Sequence, residues 1–418
     1  MTPDRLALVH SKGMPPVPLD ISPLIDPALF DMPPRTLWLS HCKDGPITRA
    51  SGDVVRSLLQ SELQPWALRW QEDFLDVQQR LRSLGAALLN VAVDDMSLAT
   101  CTSSGLEAVA LGFPWNAGDE VVIPAGEFPS NRLPWLALAR RGVHCSEVPL
   151  WDGQLATPRQ PPRPGIAPEQ RLLDAITART RVMAVSWVRF QDGLRLDLEA
   201  LGHGCRQRGV HLVVDGIQGA GTMVPVLDHV SAFATGGHKG LLGMQGQGLL
   251  WTEPGFRQQL MPLGTWLSGP AVFSQSGRQE EHASHWSSDG RYLEAGSPSI
   301  VSCAALAESI KVLLAVGGPP RLQSHIGQLQ RLLLETLASH EAWSDDATRL
   351  LGLLEARRMG PTLCFDLPAD RANALLEAGL AQGIDASTRE GFLRTAWHGW
   401  HGSDDVQRCA AWLTGSAA

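Results

Sequence analysis

Short apolar runs alternate with longer amphipathic segments over most of the chain. The runs 96–100, 120–124, 143–148, 181–187, 210–215, 232–235 and 248–251 are rich in Val, Leu and Ala, the pattern of buried strands. Between them, 104–112, 129–141 and 198–208 carry helical spacing. Such alternation predicts a parallel sheet with helices on both faces. Upstream, 54–90 reads as a long helical stretch, with Trp66, Trp70, Phe74, Val77, Leu81 and Leu84 in phase. After Leu263 the character changes. Residues 264–296 are irregular, a long loop of the kind that is functional or an interface. Helices follow at 302–316 and 322–339, then short α+β segments at 362–366, 372–382, 384–387, 392–397 and 404–414.

Punctuation sets the domain plan. Pro15, Pro16, Pro18, Pro23, Pro27, Pro33 and Pro34 make the first 35 residues an extended arm. The segment 158–168 is a proline-rich surface loop. The plan is an arm over 1–35 packing on the small domain, a large domain over 36–290 and a small C-terminal domain over 291–418.

A chain of 418 residues fits two to three domains of roughly 150 residues and needs no disulfide or metal staple. Its net charge of −8 argues against a nucleic-acid partner, and 44% hydrophobic residues mark a globular protein. No run of 18 apolar residues predicts a membrane span, and the N-terminus carries no secretory h-region. The seven cysteines are scattered, odd in number and free of C-x-x-C pairs. They predict neither disulfides nor a metal site, and a cytoplasmic location with reduced thiols. A single catalytic cysteine stays open.

The candidate chemistry lies between residues 210 and 251, in VHLVVDGIQGAG followed by FATGGHKGLLGMQGQGLLW. Asp215 closes an apolar strand, at the end where open α/β sheets bind ligands. Lys239 follows a second short strand, among Gly236, Gly237, Gly240 and Gly243, which permit close ligand approach. A lysine amine forms Schiff bases with carbonyl cofactors, and pyridoxal 5'-phosphate (PLP) enzymes pair it with an acid for the ring nitrogen.

This stretch resembles the class V aminotransferase family of fold-type-I PLP enzymes, which includes cysteine desulfurases, kynureninases and epimerase-like proteins. The resemblance runs from about Leu37 to Ala411 with its motifs in family order. It implies an α/β fold with a large, mostly parallel-sheet domain and a smaller α+β C-terminal domain. It assigns Lys239 as the Schiff-base lysine and proton shuttle, Asp215 to the pyridinium nitrogen, Gln218 to the ring oxygen and His238 to the phosphate. Ser103 and Ser104, in Thr102-Ser103-Ser104-Gly105 at a helix start, match the phosphate loop. Thr235 joins them as a phosphate ligand, one residue from the family's position at Gly236. Ser297, in the stretch from Glu294 to Ser299, would reach the neighbouring subunit's phosphate, making the active site shared across a homodimer. In Glu127-Phe128-Pro129-Ser130-Asn131 the ring-stacking group is Phe128, with Pro129 as the alternative alignment. Arg394 matches the arginine that grips the substrate carboxylate. His41, in the turn 41–46, joins the substrate pocket. Arg189 is either a second anion contact or a structural pair.

The implied reaction turns on the thiols. A desulfurase carries its nucleophilic cysteine just before the substrate arginine. Residues 384–394 contain none, which favours transamination of an amino acid or amine. A lyase or epimerase is the alternative, and a non-catalytic PLP-fold binding protein the remote one. Cys42, near the expected pocket, is the thiol to check.

Overall fold

The computed structural model describes residues 20–152, 167–269 and 286–415. The proline-rich loop 158–168 lies almost wholly outside the described residues, as do the first 19 residues and the middle of the 264–296 loop. Strands are β1 (Leu37–Trp38), β2 (Met96–Ala99), β3 (Glu120–Pro124), β4 (His144–Val148), β5 (Thr180–Ser186), β6 (His211–Asp215), β7 (Ala232–Gly236), β8 (Gly248–Thr252), β9 (Thr362–Asp366), β10 (Ile384–Asp385), β11 (Ser387–Arg389) and β12 (Phe392–Ala396).

Seven of them form one sheet in the order β2-β8-β7-β6-β5-β3-β4. Only β8 runs against the rest, pairing antiparallel with both β7 and β2. Alternation along each strand feeds two cores. Met183 and Val185 of β5, Leu212 and Val214 of β6 and Phe233 of β7 pack into one apolar cluster. Val182, Ala184, Val213, Ala232 and Ala234 pack into the cluster on the opposite face. Burial on both faces is why these strands read as continuous apolar runs.

A second unit holds the antiparallel sheet β11-β12-β9 and the parallel pair β1–β10. Leu363, Phe365, Leu393 and Trp397 share its core with Leu329 and Leu333 of the helix Gly318–Ala338. The helix Ile300–Ala315 lies C-terminal to the expected boundary at 290, yet buries Cys303, Leu306, Ile310 and Leu313 in the large-sheet core. The described part of the N-terminal arm spans both cores: Ile21 joins the small one, Ile25 and Phe30 the large one.

Three local readings change. The stretch 54–90 is two helices, Arg49–Glu62 and Asp76–Leu89, separated at Pro65 and joined through a π-turn at Trp70–Leu75. Proline lacks the N–H that would continue the first helix. The segment 129–141 breaks into a 3-10 turn, the helix Leu133–Ala137 and a second 3-10 turn, with Pro129 and Pro134 at the starts. Helices Pro168–Asp174 and Ser344–Glu355 were not read from the sequence. Among the described residues no single helix is long and apolar enough to cross a membrane.

Candidate active site

The C-terminal ends of β6 and β7 open onto a cavity of about 360 Å³ lined by Lys239, Gln218, His238, Phe128, Ser103 and Arg394, among others. That is within the ~300–1,000 Å³ of small-molecule sites. Asp215 ends β6 and is 2% exposed. One of its oxygens accepts from Ile217 N at 3.0 Å. Burial raises its pKa to about 6, against the pull of Lys239. Lys239 follows β7 in a turn held by Gly237 N to Gln247 O (2.8 Å) and Leu242 N to Lys239 O (3.0 Å). Burial lowers its pKa, opposed first by Asp215. An amine eased toward neutrality is a better nucleophile and base.

The turn after β1 closes over this lysine. Gly45 N donates to His238 O at 2.7 Å, and a methyl group at Gly45 would collide with the Lys239 carbonyl oxygen. Gln218 Nε2 donates to Cys42 O at 3.2 Å, which ties that turn to the loop after β6. On the opposite wall, Lys239 Nζ lies 5.9 Å from the Phe128 ring centroid. Phe128 meets Phe190 edge-to-face at 5.1 Å. Beside it, Glu127 accepts from Ser186 N at 2.7 Å and from Ser186 Oγ. Burial pushes the Glu127 carboxyl up to about 7.

The helix Thr102–Gly112 presents its N-terminus to the cavity through Cys101, Thr102 and Ser103. Thr102 Oγ1 accepts from Gly236 N at 2.8 Å and locks this helix to β7. Ser103 Oγ donates to Ser130 Oγ at 2.8 Å. Arg394 enters from β12, donating from Nε to Ser387 Oγ (3.2 Å) and from Nη1 to Phe190 O (2.8 Å).

Four expected residues stand elsewhere. Ser104 turns back into its own helix start, accepting from Thr100 N and Cys101 N at 3.1 Å, and does not line the cavity. Thr235 is buried in β7 and donates to Gly236 O at 3.1 Å. His41 packs against His398 (5.1 Å) and Trp400 (6.0 Å) behind the cavity wall. Ser297 is exposed at φ 53° and does not line the cavity. Arg189 is a structural pair: it bonds Asp192 at 3.0 Å. Phe190 and Arg389 line the cavity without having been anticipated. Phe190 carries no local motif and reaches the site through the loop after β5, whereas Arg389 stands in the same hairpin run as Arg394 and takes its face from the strand register.

The donor set fits PLP. A buried carboxylate suits a pyridinium nitrogen, a partly buried lysine suits the carbonyl, an aromatic ring offers a stacking face, and a helix start with His238 suits the phosphate. The model of the class-V aminotransferase family matches residues 69–381. The chain belongs to that family.

As a class V enzyme its cofactor is PLP. A probable cysteine desulfurase of Methanothermobacter thermautotrophicus is 27% identical over 348 residues, covering 79% of this chain and 81% of that protein. A mutant of C-DES with glycine covalently linked to its PLP cofactor superimposes with a TM-score of 0.76 at 18% identity, covering 91% of this chain and 97% of that one. The cystine C–S lyase C-DES in complex with cysteine persulfide, its reaction product, gives a TM-score of 0.74 at 17% identity, covering 90% and 97%. The fold is therefore that of a fold-type-I PLP enzyme, as the sequence implied.

Proposed function

We propose that this class V PLP enzyme is a C–S lyase acting on a sulfur-bearing amino acid. The relatives' names favour carbon–sulfur cleavage over the transamination that the sequence pattern favoured. One observation shapes the reading: no cysteine stands on β11, on β12 or in the turn between them. A persulfide-forming desulfurase needs a thiol there, whereas elimination expels sulfur without one.

Bound PLP supplies a ring that takes up the negative charge left at Cα, and Asp215 keeps the ring nitrogen protonated. Arg394, held by Ser387 and Phe190, takes the substrate carboxylate and fixes the Cα–H bond toward Lys239. Lys239 Nζ removes the Cα proton, the C–S bond breaks, and sulfur leaves as thiolate. The unsaturated product hydrolyses to a keto acid and ammonia. Phe128 forms part of the cavity wall, its ring centroid 5.9 Å from Lys239 Nζ.

The test is product stoichiometry on purified holoprotein given cysteine or cystine. Equal keto acid and ammonia, with no added amino acceptor, is expected. Keto acid that forms only with a 2-oxo acid acceptor and without ammonia would overturn elimination in favour of transamination. Lys239→Ala should lower turnover by about 10²–10⁴-fold, the usual worth of a positioned base.

A further inference from the structure

We propose that Arg389 is a second anion-binding group of this cavity, so that the substrate is an amino acid with an acidic group on its side chain. The proposal rests on the PLP reading for the position of the amine and adds the substrate class.

Strand register carries it. Ser387 of β11 pairs with Arg394 of β12, and Arg389 with Phe392. Side chains alternate faces along a strand, so Ser387, Arg389 and Arg394 share one face. Arg389 and Arg394 are then diagonal neighbours, about 7–8 Å apart at the backbone. Both line the cavity that holds Lys239. Two guanidinium groups are thus aimed into one small space by the geometry of a single hairpin.

Neither has a carboxylate partner among the described residues. Arg394 uses Nε and Nη1 on neutral oxygens, leaving the Nη2 edge for a ligand. Arg189, by contrast, is matched by Asp192. Arg389 is exposed, yet its guanidinium lies 5.4 Å from the Phe190 ring centroid and 5.9 Å from that of Phe128. Stacking on rings holds the group in place while its in-plane N–H donors stay available. The same Phe190 that holds Arg394 through its carbonyl oxygen holds Arg389 through its ring.

Charge points the same way. Lys239 faces Asp215 and Lys43 lies 4.0 Å from Asp385, whereas Arg389 and Arg394 line the cavity with Asp44 as the acid on its wall. Asp44 already accepts from Gln245 Nε2 at 3.0 Å. An amino acid with one carboxylate satisfies Arg394 and leaves Arg389 unmatched. A second carboxylate or sulfinate a few bonds away matches both.

Amine-free probes test this on holoprotein. Succinate and glutarate are compared with propionate and butyrate by calorimetry, in wild type, Arg389→Gln and Arg389→Lys. Dicarboxylates should bind about tenfold or more tighter than monocarboxylates, the worth of one charge-assisted pair. Arg389→Gln should erase that preference, Arg389→Lys should keep part of it, and monocarboxylate affinity should stay within twofold. Equal binding of both probe classes by wild type, or a preference that survives in Arg389→Gln, would overturn the proposal. Visible absorbance of the cofactor is read in parallel. Preference without absorbance would sink the PLP reading and keep the two-arginine site, whereas absorbance without preference sinks the site alone.

Discussion

Lys239 and Asp215 set each other's charge. Burial works against both ionised forms, and each is the other's main favourable charge. Their spacing along the chain and their glycine-rich, strand-end settings were legible in the sequence, because those signals are local. Their neighbours on the cavity wall were not. Ser103 and Ser104 look alike in sequence, but the helix start directs one hydroxyl outward and the other into its own cap. Ser103→Ala should therefore weaken PLP retention on dialysis. Ser104→Ala should leave retention intact and cost about 1 kcal/mol of stability in denaturant titration. Glu127 offers a pH test. Its folded pKa of about 7 lies above the ordinary 4.5, so the native state holds the proton more tightly. Its contribution to stability is full below pH 4.5 and is lost as pH rises through about 7. Glu127→Gln should flatten the fall in Tm between pH 5 and 8.

At the scale of elements, the strands of the large sheet stood out because burial on both faces leaves little but apolar residues in them. Prolines decided what periodicity could not. Trp66, Trp70 and Phe74 keep a helical phase after Pro65, while the backbone passes through a 3-10 turn at Pro65–Ala67 and a π-turn at Trp70–Leu75 before the helix Asp76–Leu89 begins. The helix Asp76–Leu89 is in turn fixed to the segment that leads to Ser297. Arg82 bonds Glu294 through Nε (2.8 Å) and Nη2 (2.5 Å), and Glu294 also accepts from Leu98 N at 2.9 Å. Arg82 is 7% and Glu294 1% exposed, so removing one partner strands a buried charge. Glu294→Ala should cost about 3–5 kcal/mol, read as a lowered denaturation midpoint. The sequence placed Glu294 beside a phosphate ligand; its bonds to Arg82 and β2 could not be seen from spacing alone.

At the scale of the molecule, the cavity is made where two cores meet: Gln218 and Lys239 follow strands of the large sheet, Arg389 and Arg394 stand on the small one. A buried histidine layer joins the halves. His398 Nε2 donates to Gly240 O at 3.0 Å, and His401 Nε2 to Trp38 O at 3.1 Å. Burial lowers their pKa values to about 4 and about 3. Lowered folded values mean that this stability is full above the ordinary 6.5 and is lost as pH falls below it toward 4. The Tm should fall on acidification from pH 6.5 to 4.5, and His398→Gln should make that slope shallower. We also propose a homodimer that brings Ser297 to the partner's phosphate. Trp66 (82% exposed) and Trp286 (56%) leave apolar surface of the kind that interfaces cover. Sedimentation should show a dimer; a monomer with full activity would reject the shared site. The sequence by itself determined the alternating strands and helices, the strand-end aspartate and lysine and the short hairpin run that carries Arg394, since each is a pattern within one or two neighbouring elements. Only the tertiary structure decided which hydroxyls, rings and second arginine face the cavity. Ser103, Phe128, Phe190 and the hairpin that carries Arg389 and Arg394 lie far apart along the chain, and packing between the two cores, not local preference, brings them together.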